Sequence, residues 1–306
     1  MDLIAYTSEA GFDHRPPEGH PERVERLRAV HAAIDAAEVE RRDALRAERA
    51  QLERVHTPAH VDRVFAASPT AGETALDPDT WMSPGSLEAA LRAAGAGVAG
   101  VDAVLAGAAE GAFIACRPPG HHAEPDRAMG FCLFNTVAVA ALHALEAHGL
   151  SRAAIVDIDV HHGNGTQAVA EGEPRLSFAS IHQGWIYPGT GAAHETGTHG
   201  NIVNAPMEAG TRGPAWREAI ETRLLPALAA QAPDILLISA GFDGHVADPL
   251  AGLALEEADY AWAGERLGAF AREHAQSRLV CVLEGGYDCP ALEASAEAFL
   301  RALRAA

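Results

Sequence analysis

Five short apolar runs, each followed by polar or glycine-rich residues and then by a helical pattern, constrain the fold more than any other feature. They are residues 112–116, 153–160, 175–181, 234–239 and 279–283. Strands that alternate with helices require right-handed crossovers, which produce a parallel sheet covered by helices on both faces. The 306 residues contain no repeat and no linker. The pattern therefore predicts a single α/β domain over residues 1–306.

The segments before the first of these runs extend the same alternation. Residues 2–6 have the composition of a short first strand, and residues 20–37, 58–67 and 84–109 show helical periodicity. The last of these segments is rich in alanine and has interior glycines, which favours close packing against a neighbour.

Charge and cysteine content exclude several functional classes. Acidic residues outnumber basic ones 42 to 23 and give a net charge of −19, spread along the chain. Because phosphate binding needs a positive surface, we expect no nucleic-acid partner. We expect no secretion and no membrane insertion, since neither a signal peptide nor an apolar run of membrane-spanning length is present. The four cysteines form no CxxC pair, which indicates reduced thiols and predicts a cytoplasmic protein.

Four of the five apolar runs end in loops that carry acids, histidines and glycines. These loops begin with the sequences RPPGHHAEPDRAMGFCLFN, HHGNGTQ, AGFDGHVADPL and EGGYD. The carboxyl ends of parallel strands lie at one edge of a sheet, where ligands bind in this class of fold. We therefore expect the four loops to converge on one pocket, provided that their strands are neighbours.

The segment IVDIDVHHGNG, residues 155–165, predicts a metal site. Asp159 and His161 are two residues apart and point to the same side of an extended chain. Asp243 is the best third ligand, because flanking glycines allow close approach of the backbone. Three protein ligands leave a position open for water and substrate, which is typical of catalytic sites. Two carboxylates and an imidazole favour Zn²⁺, with Fe²⁺ and Co²⁺ as alternatives.

Acid–base and oxyanion groups accompany the predicted ligands. His121 and His122 supply paired imidazoles, whose pKa suits both the removal of a proton from water and the protonation of a leaving amine. Asp157 lies where it can hold the second nitrogen of one imidazole. Tyr287, after two glycines, is placed to donate its hydroxyl to a developing oxyanion.

Together these residues resemble the histone deacetylase superfamily, including its bacterial class II-like amidohydrolases. The similarity covers nearly the whole chain through the ordered blocks HPERVERL, RPPGHHAEPDRAMGFCLFN, VDIDVHHGNGTQ, FASIHQ, YPGTG, ISAGFDGHVADPL and LEGGYD. The resemblance implies a three-layer αβα fold with a mainly parallel sheet of about eight strands, related to arginase. It also implies hydrolysis of a linear amide with the help of a metal.

The resemblance assigns roles to residues of this chain. It implies Asp159, His161 and Asp243 as metal ligands, and His121, His122 and Tyr287 as catalytic residues. His122 is similar to the general base and His121, oriented by Asp157, to an electrostatic partner, but which of the two is acid or base stays open.

The resemblance also implies supporting residues outside the ligand set. Asn164 corresponds to the residue that orients His122, and Asp248 to a carboxylate beside the ligands. The other implied sites are a substrate tunnel (Gly130, Phe131, Tyr187, Leu250), a rim residue (Asp79), an arginine at an internal cavity (Arg26), and a structural K⁺ site (Ser180 with the carbonyls of Asp157, Asp159 and His161).

Three functions remain open from the sequence. The first is removal of acetyl or other acyl groups from lysine side chains, and the second is deacylation of a small acylated amine such as an acetylpolyamine. Leu250 disfavours a polyamine because it places no carboxylate at the tunnel mouth, whereas the acidic net charge favours a cationic substrate. The third, a non-catalytic acyl-lysine-binding scaffold, requires a damaged site, and every catalytic position is filled.

Overall fold

The centre of the molecule is a fully parallel sheet of eight strands, seen in a computed structural model that describes residues 1–306. The chain forms ten strands: β1 (Leu3–Thr7), β2 (Glu40–Asp43), β3 (Thr74–Asp77), β4 (Thr80–Met82), β5 (Gly111–Ala115), β6 (Ala153–Asp157), β7 (Leu176–Gln183), β8 (Ile202–Met207), β9 (Ile235–Ala240) and β10 (Leu279–Leu283). The order in the sheet is β2-β1-β5-β10-β9-β6-β7-β8, while β3 and β4 form a separate antiparallel pair.

Helices cover both faces of this sheet. They are α1 (Val24–Ala36), α2 (Arg49–Leu52), α3 (Pro58–Ala67), α4 (Ser86–Leu105), α5 (Thr136–Glu146), α6 (Asn164–Gly172), α7 (Gly213–Ala219), α8 (Leu225–Ala230), α9 (Glu257–His274) and α10 (Cys289–Ala305), with a π-helical turn (Ile220–Leu224) between α7 and α8 and a 3₁₀ turn (Glu9–Phe12) before α1. No helix combines the length and the apolar composition that crossing a lipid bilayer requires.

Side chains alternate along each central strand between two apolar cores. Ile114 in β5 packs with α4 and α5 on one face, and Phe113 packs with α1, α9 and α10 on the other. The same alternation separates Val282 from Cys281 in β10. Strands buried on both faces lose the apolar–polar alternation of a surface sheet and appear in the sequence as continuous apolar runs. The predicted three-layer αβα fold is confirmed.

Strand order gives the predicted site its position. The four strands that end in the acid- and histidine-bearing loops, β5, β10, β9 and β6, are adjacent in the sheet. Their carboxyl ends therefore lie side by side, as the prediction of one pocket required. One detail of that prediction was wrong, because β6 ends at Asp157 rather than at residue 160. Asp159 and His161 converge through a turn, in which the His161 N–H donates to Asp159 Oδ1 at 2.8 Å, and not through strand alternation.

A buried charge network fastens the segment before α1 to the loop after β5. The Glu22 carboxylate accepts hydrogen bonds from Arg26 Nη1 at 3.0 Å, from Arg117 Nη2 at 2.6 Å and from His14 Nε2 at 3.1 Å. Arg117 Nε also donates to Glu22, and all four side chains are buried. Burial alone would raise the pKa of Glu22, but Arg117 and then His14 hold this pKa well below the usual 4.5. The network keeps Glu22 ionised in the interior.

Glu22→Gln should lower the free energy of unfolding by about 3–5 kcal/mol at pH 6, because two buried guanidinium groups lose their counter-ion. A depressed carboxyl pKa contributes stability that is complete above 4.5 and is lost as the pH falls towards the folded-state value. Urea unfolding at pH 6 and pH 3 should therefore show a smaller gap between wild type and variant at pH 3. Glu25→Gln, at an exposed position, is the control. An equal gap at both pH values would contradict the assignment.

Candidate active site

The three predicted metal ligands meet in a buried cluster at the carboxyl edge of the sheet. Their ligand atoms lie within 4.8 Å of one another. His161 Nδ1 is 3.3 Å from Asp159 Oδ1 and 3.1 Å from Asp243 Oδ2. All three residues are buried. The structure therefore places two carboxylate oxygens and one imidazole nitrogen around a common point.

Backbone donors orient the two carboxylates of this cluster. Asp159 Oδ2 accepts the Gly285 N–H at 2.8 Å, and Asp243 Oδ1 accepts the Val160 N–H at 3.0 Å. A Cβ at Gly285 would overlap the carboxylates of both Asp159 and Asp243, so a side chain at this position would displace the ligands. Glycine is needed there because the backbone itself forms the wall of the site.

The cluster fits a divalent cation. Burial raises the pKa of Asp243, and the nearby Asp159 carboxylate raises it further. The same two carboxylates outweigh the effect of burial on His161 and raise its pKa to about 10. Two buried carboxylates that lie close together favour a positive charge at the point between them. An Asp–His–Asp donor set is suited to Zn²⁺, Fe²⁺ or Co²⁺.

The two predicted acid–base histidines lie beside this cluster in different electrostatic environments. Their ring centroids are 4.0 Å apart. His121 Nδ1 is 3.0 Å from Asp157 Oδ2, and His122 Nδ1 is 2.8 Å from Asn164 Oδ1. Burial opposes protonation of His121, but the Asp159 and Asp157 carboxylates raise its pKa well above the usual range. Burial, followed by the neighbouring His121, lowers the pKa of His122 well below it.

Tyr287 is held through its backbone and through its ring. Its N–H donates to Asp248 Oδ2 at 2.7 Å, which gives the carboxylate of Asp248 a positioning role. The Arg26 guanidinium lies over the Tyr287 ring, 4.8 Å from its centroid. Arg26 also donates to the Gly286 carbonyl at 2.6 Å and to the Glu284 carbonyl. Burial raises the pKa of the Tyr287 hydroxyl well above its usual value, so this hydroxyl keeps its proton.

The two aromatic side chains predicted to line a substrate tunnel pack against Tyr287 and His122. The Phe131 ring packs edge-to-face on Tyr287 with centroids 5.8 Å apart, and the Tyr187 ring packs edge-to-face on His122 at 5.1 Å. Leu250 is partly exposed and lines, together with Tyr287, a surface cavity of about 640 Å³.

The wall that contains Phe131 has a strained backbone. Gly130 and Phe131 have φ values of 58° and 67°, in the left-handed region that a bulky side chain rarely adopts. Asp79 and Thr80 fix this turn, because Asp79 Oδ1 accepts the Gly130 N–H at 3.1 Å and Thr80 Oγ1 accepts the Phe131 N–H at 3.0 Å. A Cβ at Gly130 would also overlap the His122 ring. The predicted rim residue Asp79 therefore holds the turn that carries Gly130 and Phe131.

Two residues of the predicted K⁺ site, Asp157 and Ser180, lie on neighbouring strands. Asp157 and Ser180 are direct neighbours in the β6–β7 register. Ser180 Oγ lies 2.9 Å from His182 Nδ1, so this hydroxyl already has a side-chain partner. Potassium binding by Ser180 and the carbonyls of Asp157, Asp159 and His161 stays a prediction.

Glu284 was missed by the sequence analysis. It follows β10 directly, and its Oε2 accepts the N–H groups of Gly120 at 2.7 Å and His121 at 3.1 Å. The residue is fully buried, and burial raises its pKa to about 7 although His121 opposes this. The only signal in the sequence was a glutamate directly after an apolar strand, in EGGYD. Glu284 fastens the loop of the histidine pair to the strand that precedes Tyr287.

Comparison with known proteins agrees with this geometry. The histone deacetylase domain model matches residues 20–303. A histone deacetylase-like amidohydrolase of Pseudomonas aeruginosa is 39% identical over 293 residues, covering 92% of this chain and 77% of that protein. A probable deacetylase of Methanothermobacter thermautotrophicus is 40% identical over 304 residues, covering 95% and 88%. The crystal structure of the HDA15 HD domain superposes with a TM-score of 0.93 at 36% identity, covering 99% of this chain and 88% of that one. The chain belongs to the histone deacetylase family, whose members are hydrolytic deacetylases and amidohydrolases.

Proposed function

We propose that this protein is a zinc-dependent amidohydrolase that removes acetyl or other acyl groups from lysine side chains. The observation that carries the proposal is the buried Asp159–His161–Asp243 cluster beside the His121–His122 pair. When bound there, a zinc ion supplies Lewis-acid activation of water and of the amide carbonyl. Fe²⁺ and Co²⁺ suit the same ligands. The K⁺ site at Ser180 is proposed as a structural site only.

The chain's own residues divide the proton transfers. His122 is neutral, and since Asn164 occupies its Nδ1, its Nε2 is free to accept a proton from the attacking water. His121 is held protonated by Asp157 and stabilises the negative charge that develops nearby. The protonated Tyr287 hydroxyl donates to the oxyanion that forms from the amide carbonyl. A histidine of the pair then protonates the departing amine.

The walls of the site favour an aliphatic amine as the leaving group. Phe131 and Tyr187 flank the proposed catalytic groups. A methylene chain that lies between these two rings is removed from water on both of its sides, which favours its binding. Both an acyl-lysine peptide and a small acylated amine have such a chain. Leu250 at the mouth offers no carboxylate for a second amine, which supports the acyl-lysine peptide as the substrate. A filled catalytic site argues against a purely binding scaffold.

The location of the protein stays a prediction. A cytoplasmic location is our proposal from the sequence. One relative, 36% identical over 323 residues, is named the chloroplastic histone deacetylase 14 of Arabidopsis thaliana, so membership of the family does not itself imply a cytoplasmic location.

Turnover should be higher on acyl-lysine peptides, with acetyl or longer acyl groups, than on acetylpolyamines. The expected ranking follows from the missing carboxylate at Leu250. The measurement is kcat/KM on the zinc-loaded enzyme for the three substrate classes. A clear preference for acetylpolyamines would replace the first proposal by the second, a small-molecule deacylase.

Asp243→Ala should abolish turnover together with active-site metal, because the cluster loses one of three ligands. Bound zinc is counted after dialysis, alongside turnover on an acetyl-lysine peptide. Asp2→Ala, at an exposed carboxylate just before β1 and so near the opposite edge of the sheet, is the control and should keep both. Full metal and full turnover in Asp243→Ala would remove it from the ligand set.

Tyr287→Phe should reduce kcat by about 10² to 10³, the loss expected for one oxyanion donor. The ring, its packing on Phe131 and the contact with Arg26 are retained, so zinc content and thermal stability should stay at wild-type values. An unchanged kcat would show that the hydroxyl has no part in catalysis.

Glu284→Leu should lower kcat about tenfold or more, because two buried N–H groups in the histidine loop lose their acceptor at a cost of about 1–3 kcal/mol each. Glu284→Gln keeps an acceptor oxygen of the same reach and should retain most of the turnover. Zinc content is measured alongside, so that a loss of turnover with the metal retained is separated from a loss of the metal itself. Equal turnover in wild type and Glu284→Leu is the result that contradicts this role.

A further inference from the structure

A second group of metal-binding side chains lies at the edge of the sheet opposite the proposed active site. Asp102 is in the last turn of α4, His143 is in the last turn of α5, and His148 lies just beyond α5. These positions precede the amino ends of β5 and β6, whereas the catalytic groups follow the carboxyl ends of the same strands. The group is therefore separated from the active site by the length of the sheet.

The donor atoms of this group meet at one point. Asp102 Oδ1 is 2.7 Å from His143 Nε2 and 2.6 Å from His148 Nε2, and the three ligand atoms all lie within 4.8 Å of one another. The two imidazole rings are arranged edge-to-face with centroids 5.1 Å apart, so both Nε2 atoms face the same carboxylate oxygen.

We propose that Asp102, His143 and His148 form a second, non-catalytic site for a divalent transition metal of the Zn²⁺ class. Two imidazole nitrogens and one carboxylate oxygen suit Zn²⁺, Co²⁺ and Ni²⁺ and do not suit Mg²⁺ or Ca²⁺, which prefer oxygen ligands. The remaining coordination positions face solvent, because Asp102 and His148 are exposed, and water can fill them. A metal there would join α4, α5 and the turn after α5.

The guanidinium group of Arg54, which lies beside His143, opposes metal binding at this site. Arg54 Nη1 is 2.8 Å from His143 Nδ1, so this nitrogen accepts and Nε2 carries the ring proton. A metal at Nε2 moves that proton to Nδ1, where it faces the guanidinium of Arg54. Arg54 has an alternative partner in Glu146, whose Oε2 is 3.4 Å from Arg54 Nε. Metal binding therefore requires Arg54 to turn from His143 towards Glu146.

The number of zinc ions bound per full chain tests the proposed second site. Equilibrium dialysis against Zn²⁺ at pH 7.5 should give one ion fewer per chain for His148→Ala and for Asp102→Asn than for wild type. His199→Ala, which removes an exposed histidine outside the group, should keep the wild-type number. Asp243→Ala should lose a different ion, and the His148→Ala/Asp243→Ala double variant should lose both. This arrangement separates failure of the second site from failure of the proposed catalytic site.

Affinity and stability measurements complete the test, because one variant should bind zinc more tightly than the wild type. Arg54→Gln should tighten zinc binding at this site at least tenfold, since the competing donor to His143 is removed. Zinc should raise the melting temperature of Asp243→Ala more than that of the double variant, because a ligand bound only to the folded state stabilises it. Turnover of His148→Ala on the same acyl-lysine peptide should equal that of wild type. Equal zinc numbers in wild type, His148→Ala and Asp102→Asn, or an affinity unaffected by Arg54→Gln, would overturn the proposal.

Discussion

The active-site end of this molecule depends on buried carboxylates that accept backbone N–H groups from the loop of another strand. Asp159, after β6, accepts from Gly285 after β10, and Asp243, after β9, accepts from Val160 after β6. Glu284, after β10, accepts from the loop that follows β5. Hydrogen bonds to ionised acceptors are stronger than neutral ones, and an unpaired buried donor costs about 1–3 kcal/mol. The same hydrogen bonds therefore fix both the positions of the predicted ligands and the packing of the four strand ends.

These hydrogen bonds hold the carboxylates of the cluster in place through protein contacts alone. Asp243 turns Oδ1 towards the Val160 N–H and Oδ2 towards the His161 ring, whereas Asp159 accepts backbone N–H groups at both oxygens, from Gly285 and from His161. Loss of one of these hydrogen bonds would let a carboxylate of the cluster rotate and would also weaken the contact between two strand ends. A preorganised site of this kind does not need to reorganise when charge develops in the reaction.

The central strands could be predicted from the sequence because burial on both faces leaves apolar runs, and β10 was found with its observed bounds. The two edge strands could not. The exposed edge strand β2 consists of the charged residues ERRD, and β8 contains Pro206, which is tolerated at an edge but weakens the strand pattern. Strand order was also beyond the sequence, since periodicity shows that a strand is buried but not which strand lies beside it.

The same distinction divides the predicted site residues from the missed one. Asp159, His161 and Asp243 stand out because metal-ligand residue types follow apolar strands at short spacing. Glu284 acts through the β5 loop, more than 160 residues away in the chain, and no local pattern encodes that contact. The buried charge network of Glu22 could not be predicted from the sequence for the same reason, because Arg117 and Arg26 come from different elements.

Charge burial couples the segment before α1 to Tyr287, the proposed oxyanion donor. Glu22 neutralises Arg26, and Arg26 in turn holds the carbonyls on both sides of the glycine pair before Tyr287 and lies over its ring. Without its carboxylate, the buried guanidinium would have to recruit water or move, and either change would reach Tyr287 directly. Glu22, which lies outside the predicted ligand set, thereby helps to fix the position of the Tyr287 ring. A single arginine links this carboxylate to the phenol, so a change at Glu22 would reach Tyr287 through Arg26.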